Sequence, residues 1–193
     1  MQTKLNEMNW WARKTDGGRV QWTAQYRAWD INFTAWSKPD ADGQRYPQWL
    51  AQRDNGVMAN TRAPHLIGFN VHGKTNDYRF FRYAFSSCLL GDGFFCFTDD
   101  AKGYSSVSWF DEFDFKLGAA ISMPSTAEWT NGVWRRDFER GIALVNPTKR
   151  RLTVELEPGF RRLPGNQDPA ANDGNPVASI TLEAKDGIIL CRP

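Results

Sequence analysis

Residues 151–157, RLTVELE, place Leu152, Val154 and Leu156 on one side of an extended chain and Arg151, Thr153, Glu155 and Glu157 on the other. Period two admits a half-buried strand and excludes an amphipathic helix. The same alternation returns in VASITLEA (177–184). GIALVNP (141–147) is a short apolar run closed by Asn-Pro, a strand followed by a turn. Pro158-Gly159 predicts a turn, with FRRL a short strand after it. Asp186-Gly187 predicts a hairpin joining 177–184 to IILCR. Residues 123–193 therefore read as a small antiparallel β-sandwich.

Ahead of Met123 the pattern differs. TNDYRFFRYAFSSCLLG (75–91) spaces Phe81, Ala84, Phe85, Cys88 and Leu89 by three and four, with Thr75 or Asn76 as cap and Gly91 as stop. RYPQWLAQRDNGVMANTR (45–62) predicts a second helix, with Pro47 in its first turn. Apolar runs lie between and around these helices: VQWTAQYRAWDINF, PHLIGFNVHG and GFFCFTDD. Strands alternating with helices predict an α/β unit with a parallel sheet buried on both faces. Functional groups of such units gather at the C-terminal strand ends, where Asp30, Asn70, His72, Asp99 and Asp100 fall.

Composition narrows the function. With 24 basic and 22 acidic residues the net charge is +2, and TKRR at 148–151 is a short basic run, so nucleic acid is not an expected partner. No stretch is long and apolar enough to span a membrane. Cys88, Cys96 and Cys191 have neither metal spacing nor a disulfide framework. PDADG (39–43) and NQDPAANDGN (166–175) lack the full ligand set of a calcium loop and read as solvated turns, so no metal or other cofactor is expected. His65 and His72 have no nucleophile motif beside them. The aromatic share is high, at 14% with nine Trp, and flat apolar faces with a polar handle suit sugar rings as well as a core.

Three stretches carry a resemblance: DYRFFRYAFSSCLLGDGFFCFTD, WFDEFDFKLGAAI and WRRDFERGIALVNPT. Together with the closing ITLEAKDGIIL they resemble the C-terminal portion of glycoside-hydrolase-like TIM-barrel proteins, well over residues 64–193 and loosely over 20–63. The resemblance implies a final barrel strand at Asp92-Gly93-Phe94-Phe95, an acidic loop at Trp109–Gly118, and entry to a β domain at Trp134–Pro147. The expected fold is α/β plus all-β: residues 1–122 form part of a (β/α)8-type barrel, and 123–193 the sandwich. A TIM barrel takes about 250 residues. The chain is therefore expected to be the C-terminal portion of a longer enzyme, inactive alone, or else a small α/β protein completed by a second copy.

The implied activity is hydrolysis of glycosidic bonds, with carbohydrate as partner. It requires two carboxyls about 5–5.5 Å apart for retention or about 6.5–9.5 Å for inversion, one of them protonated near neutrality. The candidate catalytic acids are Asp30, Asp111 and Glu112. Adjacent residues of an extended chain point to opposite sides, so Asp111 and Glu112 are expected to pair with Asp30 or an acid of the 94–100 segment rather than with each other. The candidate substrate-binding residues are Trp36, Asn70, His72, Asp99, Tyr104 and Trp109. Two rival readings stay open: a non-catalytic carbohydrate-binding or accessory module, and a structural or interaction protein. In the second, the WFDEFD acids bind loop backbone or an Arg and the aromatics are core.

Overall fold

The computed structural model describes residues 68–91, 94–99, 101–102, 105–123, 125 and 127–192. The predicted strand ending at Asp30 and the helix over 45–62 lie outside the described residues, as do Asp30, Trp36 and Tyr104. The chain divides into two compact units, one containing residues 92–106 and the chain up to His72, the other 73–91 with 107–193.

In the first unit, β1 (Gly68–Gly73) and β2 (Phe94–Asp99) are hydrogen-bonded neighbours in a two-stranded sheet. They stand on either side of α1 (Tyr78–Leu89) in the sequence, the predicted strand–helix–strand order.

The second unit is β-rich. Helix α1 opens it, and its cap is Asp77 rather than Thr75 or Asn76: Asp77 Oδ1 accepts from Phe80 N at 3.1 Å. At the far end, the buried Arg136 guanidinium donates to the carbonyls of Leu89, at 3.2 Å, and Gly91, serving groups the helix leaves unpaired. Five strands follow: β3 (Trp134–Phe138), β4 (Gly141–Asn146), β5 (Leu152–Arg162), β6 (Pro176–Leu182) and β7 (Asp186–Cys191). They form one antiparallel sheet in the order β3-β4-β7-β5-β6. Hydrogen bonding thus runs continuously through all five strands, where two separate layers were expected.

Two features of this sheet differ from the sequence expectation. The Pro158-Gly159 pair does not end a strand. β5 runs through it on a register shift between Glu155 and Phe160, with Gly159 at φ +103°. A bulge accepts Pro, which has no N–H to donate, and needs the positive φ that Gly supplies. Nor does Asp186-Gly187 close a hairpin with β6. β7 pairs with β4 along its length and meets β5 only at Arg161 and Arg162. Its run Gly187-Ile188-Ile189-Leu190 is buried throughout, which suits a central strand covered on both faces.

The two faces have different covers. Ile142, Leu144, Ile188 and Leu190 pack with Val154, Leu156, Phe160, Ile180 and Leu182 of β5 and β6, so the sheet folds over its own core. Ala143 and Ile189 point the other way and pack with Leu117, Phe138 and Leu163, beside Phe85 and Leu89 of α1. Gly187 permits the helix to approach: a Cβ there would lie 2.7 Å from Ser86 Cβ and 2.8 Å from the Arg82 carbonyl oxygen. Asn146 closes β4 fully buried. Its amide donates to Arg150 O at 2.7 Å and Glu183 O at 2.8 Å, and its oxygen accepts from Thr148 N at 3.0 Å.

Candidate functional site

The segment WFDEFD does not run extended. Asp111–Asp114 make one turn of 3-10 helix, with Phe110 in front of it. The aromatic residues anchor it. Phe110, 1% exposed, stacks on Phe81 of α1 with ring centroids 3.6 Å apart and planes 9° apart. Phe113 meets Phe81, Phe85, Phe110 and Trp109 edge to face. That fixes the turn against the helix and leaves each acid a separate task.

Asp111 holds the neighbouring loop. Its Oδ2 accepts the backbone N–H of Asn166 at 2.7 Å and of Gln167 at 2.8 Å. Gln167 returns the favour: its Oε1 accepts from Asp111 N at 2.9 Å, and its Nε2 donates to Trp109 O at 3.0 Å. Gly165 lies close enough that a Cβ would sit 2.7 Å from Asp111 Oδ2.

Glu112 points inward and is 6% exposed. Its Oε1 accepts from Asn172 Nδ2 at 2.8 Å. Burial pushes its proton affinity above the ordinary glutamate value, with Asn172 and the positive field of Arg82 pulling against that rise. Arg82 itself is a clamp. It donates to Asp168, to Asp186 at 3.2 Å and to Gly187 O at 3.2 Å, tying α1 to β7 and to the 166–175 loop. Burial also raises Asp186, and Arg82 opposes this.

Asp114 serves Trp109. The indole Nε1–H lies 3.2 Å from each Asp114 carboxylate oxygen. The ring, 59% exposed, leans edge-on against Phe113 at 5.5 Å. Trp109 is therefore an apolar plate open to solvent, with its orientation fixed at two points.

Asn70, His72 and Asp99, also predicted, belong to the first unit. Asp99 ends β2, 6% exposed, and its Oδ1 accepts from Ala101 N at 2.9 Å and Lys102 N at 3.0 Å. That is an Asx turn closing the strand. Asn70 and His72 lie on β1, and their side chains are outside the described residues. Asp111, Glu112 and Trp109 come together on one turn.

Sequence reasoning passed over Arg82, Asn172, Asp168 and Asp186. The Arg82 side chain is largely buried on a helix whose periodic signal is apolar, and its partners are 86 and 104 residues away. Reading 166–175 as a solvated turn concealed Asn172, which is 2% exposed. Among the described residues no group of three or more His, Cys, Asp and Glu could hold a metal ion, and no helix is long and apolar enough to cross a membrane.

A solved structure titled as an Anoxybacillus alpha-amylase of a new glycosyl hydrolase subclass is similar at 14% identity and a TM-score of 0.42, over 87% of this chain. The chain spans 46% of that structure, about half its length. No curated protein matches. The model of the hypothetical glycosyl hydrolase family 15 matches residues 40–142, more than half of the chain, and the chain belongs to that family.

Proposed function

We propose that the protein binds carbohydrate through Trp109 as part of a glycoside hydrolase. The observation that carries this reading is the indole of Trp109: 59% exposed, yet held by Asp114 through Nε1 and by Phe113 through its edge. A core-filling Trp is buried, and an idle surface Trp is not pinned. A fixed open indole matches the apolar C–H face of a pyranose at low entropic cost. On this reading Asp111 and Asp114 are positioning residues for the plate.

Hydrolysis through paired carboxylates is the activity we assign to the intact protein. Within the turn, Glu112 has the raised proton affinity that a general acid needs. The partner to test with it is Asp30. Asp111, with Oδ2 taken by two backbone amides, fits the loop-holding role.

Two experiments address these roles. Retardation of the chain in native gels containing soluble starch, xylan or mixed-linkage β-glucan should be strong for wild type and lost in Trp109→Ala, with the far-UV spectrum unchanged. Equal retardation of both proteins would overturn the assignment of Trp109. A glycosidase screen on the intact protein should lose turnover in Asp30→Asn and Glu112→Gln and keep most of it in Asp111→Asn. Full turnover in Glu112→Gln would exclude the acid role.

A further inference from the structure

Trp129 has no part in the turn just described, yet its setting is as deliberate. Its backbone N–H donates to Val133 O at 2.8 Å. Between them Asn131 and Gly132 take positive φ values of 49° and 84°, the Asn-Gly two-residue hairpin turn. The main chain under the indole is thus tightly fixed. The ring remains 38% exposed, while Trp134, on the same hairpin, is 8% exposed.

Arg135 joins it to an ordered polar cluster. The Arg135 guanidinium carbon lies 4.8 Å from the Trp129 ring centroid and 5.7 Å from that of Phe160. Arg135 is held by Asp137 at 2.6 Å and by both oxygens of Glu157, one of them at 2.8 Å. Arg192 reaches the same Glu157 at 3.1 Å and covers Phe160 at 4.4 Å. Roofing Phe160 explains why both arginines lie here. It does not explain an indole left open to solvent beside them.

Charge selects the ligand class. Two guanidinium groups and two carboxylates balance, so the patch does not attract the phosphates of a nucleic acid. A cationic ligand would compete with Arg135 for the ring. An uncharged ring with an apolar face and a rim of hydroxyls suits what is left to solvent: the open part of the indole for the face, and the half-exposed Asp137, Glu157 and Arg192 for the hydroxyls. We infer that Trp129, with Arg135 over its ring and Asp137, Glu157 and Arg192 tied into the cluster that Arg135 forms, is a second carbohydrate-binding plate, taking an uncharged pyranose unit of a polysaccharide. This rests on the carbohydrate reading above but on none of its residues.

The same native gels test it, with soluble starch, xylan and mixed-linkage β-glucan as probes. Trp129→Ala should weaken retardation about tenfold in apparent affinity, while Trp129→Phe, which keeps a flat face, should recover most of it. Melting curves screen the variants, and Trp129→Phe remains informative if Trp129→Ala fails to fold. Retardation lost in Trp109→Ala but unchanged in Trp129→Ala and Trp129→Phe overturns this plate alone. Retardation lost in Trp129→Ala but kept in Trp109→Ala supports it and overturns the Trp109 reading. No retardation of wild type by any of the three polysaccharides overturns both.

Discussion

Asn172 donates its side-chain amide to Oε1 of Glu112 at 2.8 Å, and both residues are buried. One is in the acidic turn and the other in the loop after β5, so this bond joins two segments that are distant in sequence. Removing the donor leaves a buried carboxyl oxygen without it. Asn172→Ala should cost about 2 kcal/mol, read from urea midpoints; a cost near zero would mean that the loop is held elsewhere.

The same carboxyl predicts a pH dependence. Burial raises the Glu112 pKa in the folded state. An acid raised on folding favours the native state at low pH, and that contribution is lost as pH climbs through the folded value. Wild type should therefore lose stability relative to Glu112→Gln as pH rises above about 4, near the unfolded glutamate value. A stability difference that does not change as pH rises from there would rule the linkage out.

Arg82 predicts the cost of unclamping the helix. With side-chain exposures of 11% for Arg82 and 8% for Asp186, this pair is largely out of water. Arg82→Met removes the cation from Asp168 and Asp186 together and should cost about 3 kcal/mol. Adding Asp186→Leu should return part of that, because a buried charge is then no longer left alone. If the double variant is the weaker one, the ion pair stabilises beyond its desolvation cost.

Gly165 predicts how tightly the acidic turn is held. An Ala Cβ would lie 2.7 Å from Asp111 Oδ2 and 3.0 Å from Asn172 Cβ. Gly165→Ala should displace Asp111 from the loop amides at a cost of about 1–3 kcal/mol, and weaken polysaccharide retardation through Trp109 with the sheet intact. Retardation equal to that of wild type would separate Trp109 from the loop beneath it.

Much of the β unit was legible in RLTVELE, VASITLEA and GIALVNP, because alternation and apolar runs are local properties of an extended chain. The helix over Tyr78–Leu89 was legible for the same reason, within a residue or two at the ends. Sheet order was not. Whether Asp186-Gly187 turns a hairpin or starts a central strand depends on where the apolar run from Gly187 to Leu190 is buried, and β4, β5 and α1 decide that. The acids of WFDEFD divide the same way. Their presence beside Trp109 and Phe110 was plain in the sequence. Their tasks were not: Asp111 holds backbone amides 55 and 56 residues away, and Glu112 meets an amide 60 residues away. The local pattern determined strands, helix and aromatic anchors. Only the tertiary structure decided which carboxylate holds loop amides, which is buried, and which indole is left open to solvent, because hydrogen-bond partners and exposure are set by the surrounding fold.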